Sequence, residues 1–492
     1  MTFPSFRLNS LHFGDRARDL SYAWLLFAAT SAGIAGLLAF MVAMTRTPAV
    51  KLLPTARSFQ VILVGHVTFA LTIWLLAFIA AVWTYVTAQA GQGRLFSLRL
   101  GWAGLAVSVS GSLILLTSIT LGRGEALMTD YVPLLDVPIF HTGFAAFMTG
   151  IVLTVVNILL TVITRQDKAP LSIPVYGAVI GACCTLAAVA AIVAALSRLG
   201  FGAGSYLPFE YYQAFFWGMG HSLQYTSVVT MVIVWYLLAN AVFGPSPLPE
   251  RWLKIILTLF AVLIIPAPIF YFIRPAIELP TTKAGVMLDS SLGTPVMLTF
   301  IFLGWWFRRS PHVSLRHLPW HKPEFSALFF SALLFAIGLG LQPVGALGTL
   351  RVPAHYHGVI VGGVTMAFMG MAYYLLPRLG RNLPSLTLAR VQPFLFAPGV
   401  LTMIMGLAWA GTAGAPRKAY DAATSVAVAW QIPMNLMGLG AFLAAAGGII
   451  FVWLVLLALL RAPQALPLSR AERERAERER AEREAWLEGQ VV

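Results

Sequence analysis

Twelve apolar stretches of spanning length leave this chain little choice of fold. They lie near Tyr22–Met44, Val61–Val86, Leu100–Leu121, Val137–Ile163, Ile173–Leu196, Tyr212–Val242, Trp252–Phe272, Val286–Phe307, Phe325–Leu341, His355–Leu376, Phe394–Ala410 and Pro433–Leu460. A bilayer core of about 30 Å is crossed by roughly 20 helical residues. With 59% hydrophobic and 11% charged residues, no soluble domain reads this way. The expected fold is all-α, a polytopic membrane protein of about twelve transmembrane helices. Connections are short and carry Pro, Gly and charge, as in "FGPSPLPER", so no separate soluble domain is expected. Residues 1–461 form one membrane domain. Beyond Arg461 the chain becomes "RAERERAERERAEREAW", and residues 462–492 read as a solvated helical tail or a docking segment for another subunit.

The formal charge of +14 is read by location, because Arg and Lys fall mostly between spans, as at Arg308, Arg309, Arg316 and Lys322. Placing both termini in the cytoplasm of a bacterial-type inner membrane puts roughly two-thirds of the positive residues inside. Nucleic acid is not the expected partner. The polar N-terminus and long first run do not have the form of a cleavable signal peptide. The adjacent Cys183 and Cys184 have no CxxC partner and read as helix packing.

Chemistry concentrates in histidines. "VPAHYHGVIVGGV" places His355 and His357 at the head of an apolar run. Ionisable side chains in a membrane helix mark function unless they are satisfied by a neighbour. Positions i and i+2 point roughly 200° apart on a helix, so the two imidazoles serve different ions rather than one. His66 lies in the second span, and His221 lies in the sixth with Tyr225 one turn along the same face. His141 opens the fourth span, where a helix-end polar contact is as good an account as a ligand role. His12 reads as solvated, and His312, His317 and His321 crowd one basic loop. Imidazole suits heme iron and transition metals, and membrane Asp and Glu are nearly absent, so a multi-heme membrane electron carrier follows from the residues alone.

The segment "HYHGVIVGGVTMAFMGMAYYLLPRLG" resembles the tenth helix of heme–copper oxidase subunit I, closest to its B-type branch. There the first His of an HxH pair ligates a high-spin heme and the second a low-spin heme. "GAPRKAYDAA" is similar to that family's Pro-Arg-Arg-Ala-Tyr segment, with Arg417 and Lys418 at the propionate-binding positions. Lys in place of the second Arg keeps the charge and loses the bidentate geometry. His66 matches the other low-spin ligand, and "GHSLQY" resembles the family's Gly-His-Pro-x-x-Tyr around copper B. The resemblance implies a low-spin bis-His heme on His66 and His357, a high-spin heme on His355, and His221 and Tyr225 as catalytic candidates. It also implies partner membrane subunits and a cytochrome c, cupredoxin or quinol donor.

One part of the pattern is missing. The family's adjacent His pair on helix seven falls here in "IIPAPIFYFIRPAIEL", at Ile269–Phe270 or Phe270–Tyr271, and no His occurs between His221 and His312. Glu278 and Asp289 are the substitute ligands on offer. The acidic position of helix six is Leu223, and the usual helix-eight Lys maps to Thr299. Copper B is therefore expected to be absent. The expected function is a heme-dependent oxidoreductase of the cytochrome c oxidase or nitric oxide reductase type, reducing O2 or NO at the high-spin heme. The alternative is a diverged two-heme electron-transfer subunit without oxygen-reducing activity, and a cofactor-free transporter is a third class.

Overall fold

The computed structural model describes residues 16–202, 204–269, 291–311, 316–342, 346–420 and 428–461. His12, His312, Phe270, Tyr271, Glu278, Asp289 and the charged tail lie outside the described residues. Among those described, twelve long helices follow one another. They are α1 (Ala17–Arg46), α2 (Ala56–Ala90), α3 (Leu98–Leu121), α4 (Pro138–Thr164), α5 (Ile173–Leu199), α6 (Pro208–Phe243), α7 (Glu250–Ile269), α8 (Gly293–Arg309), α9 (Pro323–Gly340), α10 (Arg351–Arg378), α11 (Leu386–Thr412) and α12 (Val428–Leu460). Eleven are long and apolar enough to cross a membrane, and α8 has 17 described residues. The all-α polytopic fold expected from the apolar runs is therefore the observed one.

Local sequence sets the helix ends. Pro occupies the first turn of α4, α5, α6 and α9, where its missing N–H has no helical partner to lose. Thr55 and Ser58 cap α2 reciprocally, and Ser97 and Ser385 cap α3 and α11. The helices differ in how far they are enclosed. The apolar windows of α2, α6 and α10 are 72%, 83% and 83% buried, whereas those of α1 and α12 are 33% buried. The centre of the bundle is thus made by the three helices that carry His66, His221 and the His355–His357 pair.

Two features depart from a purely α-helical expectation. A short antiparallel hairpin, β1 (Glu125–Leu127) with β2 (Leu134–Asp136), occupies the α3–α4 connection. Its connecting residues 128–133 reach the N-terminal part of α6, where Asp130 and Gln213 exchange two hydrogen bonds. In addition, α2 is wound as a π-helix over Thr68–Trp74 and α10 over His357–Thr365. The i, i+2 geometry expected for His355 and His357 therefore applies to α-helix that ends at the second of them. Such wide turns are uncommon and cluster at functional sites.

Candidate functional site

The three histidines of α2 and α10 share one arrangement. His66 Nδ1 is 3.3 Å from the carbonyl oxygen of Ala35 on α1. His355 Nδ1 is 2.8 Å from that of Gly338 on α9, and His357 Nδ1 is 2.8 Å from that of Pro353. A carbonyl only accepts, so each Nδ1 carries the proton and Nε2 carries the lone pair. This is the tautomer a metal-ligating histidine requires, with its orientation fixed by the second bond. His66 and His357 lie within electrostatic reach of each other. All three side chains belong to enclosed helices and are half-buried. Neutral imidazoles that carry the lone pair on Nε2, in a largely apolar surround, fit heme iron.

Close backbone approach places His355. A Cβ on Gly338 would fall 2.5 Å from the backbone nitrogen of Val359 and 2.6 Å from the carbonyl carbon of Gly358. Glycine at 338 and 358 therefore lets α9 lie directly on α10 and bring the Gly338 carbonyl to the imidazole.

The loop between α11 and α12 is zipped to the start of α10. Leu350 N–H donates to Ala415 and Arg417 N–H to Gly348, at 2.9 and 3.0 Å, and Thr349 bridges Pro416. This holds Arg417 and Lys418 over the histidine end of α10. Tyr356, between the two histidines, lies within electrostatic reach of Arg417, Asp130 and Arg46. Arg46, at the end of α1, donates to the Pro416 carbonyl at 3.0 Å.

Both sequence-identified cations meet a carboxylate. Arg417 and Lys418 approach Asp130 Oδ1 at 3.0 and 2.9 Å, and Lys418 also donates to the carbonyls of Met128 and Thr129. Gln213 donates to the other oxygen of Asp130 at 3.0 Å. Burial alone would raise the Asp130 carboxyl, but Lys418 and Arg417 outweigh it and hold the group below the usual carboxylate range. Burial pulls the Lys418 amine below its ordinary value, and Asp130 opposes that pull. Lys418 sits at φ 59°, a left-handed conformation costly for a residue with a Cβ, so the surrounding bonds must enforce it.

His221 and Tyr225 are brought together on α6, their ring centroids 5.8 Å apart. His221 stacks on Trp217 at 5.4 Å, and its Nδ1 is 3.2 Å from the Tyr131 hydroxyl. The Tyr225 hydroxyl bonds to Ser291, just before α8. His141 is a helix-end contact with Asp136 and Tyr212, at 3.0 and 3.2 Å. Cys184 is buried within α5 and both cysteines are free thiols. His317 and His321 line a cleft of about 800 Å³ with Arg316 and Lys322, remote in sequence and element from the α2–α10 site.

Sequence reasoning missed Asp130, Tyr131, Gln213 and Gly338. The first two sit in a connection with no periodicity, and "TDY" carries no motif that names a partner. The pairing of Gly338 with Gly358 is a tertiary fact, although GxG at 338–340 and the glycines after His357 hinted at close packing.

An all-α bundle with imidazoles from its second and tenth helices defines a heme–copper-oxidase type of membrane subunit. The chain belongs to the family described as Cytochrome C and Quinol oxidase polypeptide I, which matches residues 19–443. It is 24% identical to an uncharacterized protein of Rickettsia prowazekii, over 89% of this chain and 95% of the relative. It is 27% identical to cytochrome c oxidase subunit 1 of Thermus thermophilus, over 42% of this chain and 40% of the relative. A heme-copper terminal oxidase dimer solved by cryo-EM has a TM-score of 0.78 at 18% identity, covering 91% of this chain and 85% of that one. The structural likeness carries the fold, and the family match carries the membrane oxidoreductase context.

Proposed function

We propose that this chain is a two-heme oxidoreductase subunit, with His66 and His357 holding a low-spin heme and His355 a high-spin heme. The supporting observation is that all three imidazoles donate Nδ1–H to a backbone carbonyl, leaving Nε2 as the ligand nitrogen on each. When bound, the hemes would supply one-electron chemistry for reduction of a small ligand such as O2 or NO. Arg417 and Lys418 compensate propionate charge at one membrane face, and Asp130 sets how much positive charge they present. His221 and Tyr225 would offer an imidazole and a phenol as proton donors to a small ligand. Other membrane subunits and a cytochrome c, cupredoxin or quinol donor complete the electron path, and both termini lie in the cytoplasm.

A second reading is favoured by the surroundings of His221. One imidazole already stacked on Trp217 and bonded to Tyr131 is a poor start for copper B, which takes three in the family this chain resembles. On that reading the chain relays electrons for a partner complex without reducing oxygen. Metal analysis with carbon monoxide difference spectra separates the two. Two irons per chain, no stoichiometric copper and a carbon-monoxide-reactive heme with turnover on NO or O2 support the reductase. The same pigments without turnover support the carrier. A preparation without heme refutes both.

A further inference from the structure

The π-helical segments of α2 and α10 are matched in a way the ligand assignment does not require. Trp74 ends the segment that starts just after His66, and Thr365 ends the one that starts at His357. Each lies eight residues beyond its histidine. Because α2 and α10 run in the same direction through an alternating bundle, equal spacing sets histidine opposite histidine and Trp74 opposite Thr365.

The two residues are bonded, with the Trp74 indole N–H donating to the Thr365 hydroxyl at 3.3 Å. Beyond them the helices are fastened by packing. Phe78 and Phe368 stack at 4.6 Å with 16° between planes, and both are fully buried. Trp74 also meets Phe368 and Phe451 edge-on at 6.3 and 6.1 Å, which brings α12 into the same cluster. On the other side of the segments, each imidazole is held by its own carbonyl, Ala35 for His66 and Pro353 for His357.

A π-turn takes up one more residue than an α-turn, so it rotates whatever precedes it relative to whatever follows by roughly 100°. Its hydrogen bonds are less favourable than α-helical ones, so tertiary contacts must hold it. On α10 the Ser331 hydroxyl of α9 donates to the Gly363 carbonyl at 2.7 Å, and between the two segments Trp74 bonds Thr365.

We propose that the Trp74–Thr365 hydrogen bond is a clamp that holds both π segments in register and so fixes the angle between the His66 and His357 ring planes. Trp74 and Thr365 are positioning residues and touch no reacting atom. The proposal rests on the bis-His reading of His66 and His357. The angle between axial imidazole planes governs the g values of an oxidised low-spin heme, so the clamp has a readout independent of turnover.

The test uses the full-length chain purified from membranes and oxidised, with heme content measured first. Trp74→Phe and Thr365→Val remove the bond while keeping most of the shape, and Thr365→Ser keeps the hydroxyl. Both disruptive variants are expected to bind two hemes with a shifted low-spin g signal and midpoint potential, and the double variant to match either single one. Thr365→Ser is expected to retain the parent spectrum. Unchanged g values and potential in both disruptive variants, with full heme content, overturn the clamp and leave the bis-His assignment standing. If those variants fail to assemble, a cryo-EM structure of the heme-loaded parent chain decides. Nε1 and Oγ1 within 3.5 Å, with π winding in both segments, supports the proposal, and uninterrupted α-helix or a longer separation overturns it. A parent chain without a bis-His signal refutes the underlying assignment and the clamp with it.

Discussion

Replacing Gly338 by Ala tests whether the contact of α9 on α10 positions the imidazole of His355. The added Cβ would fall 2.5 Å from the Val359 nitrogen, whereas ordinary contact begins at 3.4 Å. The obstructing atoms are backbone, so relief requires the helices to part by about 1 Å rather than a side chain to swing aside. The same displacement draws the Gly338 carbonyl away from His355 Nδ1. A bond of 2.8 Å then stretches towards about 3.8 Å, outside hydrogen-bond range. Overpacking of this kind costs about 1–3 kcal/mol, and the lost bond adds about 1 kcal/mol. Loss of an orienting partner on a ligand histidine lowers metal affinity by roughly 10- to 100-fold. Gly338→Ala is therefore expected to lose the carbon-monoxide-reactive heme preferentially and keep the sharp low-spin bands. Pyridine hemochrome quantification and reduced-plus-CO difference spectra read both at once. A variant with full CO-reactive heme at parental affinity refutes the link between helix spacing and His355.

His66→Ala or His357→Ala should each abolish the low-spin spectrum, and His355→Ala should remove only the CO-reactive species; visible spectra of the three variants check this, and retention of both species in all three contradicts the assignment. Changing Arg417 and Lys418 together to Gln should weaken heme retention or shift the midpoint potentials, since two cations leave a partly dry interface; redox titration with unchanged potentials and occupancy counts against the propionate role. Asp130 is held below the usual carboxylate range, so its contribution to stability is present above about pH 4 and is lost as pH falls through the lowered folded value. Asp130→Asn should cost about 2 kcal/mol at neutral pH, between surface and buried ion pairs, and flatten the acid limb of stability in denaturation followed by fluorescence; an unaltered acid limb removes Asp130 from that account.

The twelve apolar runs by themselves determined the all-α membrane fold, because lipid leaves the backbone no partner outside its own helix. The HxH spacing, His66 and His221 stood out as candidates because an ionisable group in an apolar run is conspicuous residue by residue, and Arg417 and Lys418 were picked out by the resemblance of their loop to the family segment. Their partners were not. Asp130 lies 288 positions from Lys418, and only the folded hairpin and the zipped α11–α12 loop bring them together. Tyr131 reaches His221 across 90 positions in the same way. The π segments were hidden because TFALTIW and HGVIVGGVT have the composition of any membrane helix. A wide turn is not an intrinsic preference of those residues. It depends on what lies across from it, such as the Ser331 hydroxyl on the Gly363 carbonyl and the indole of Trp74 on the hydroxyl of Thr365, and such contacts exist only once distant helices have packed.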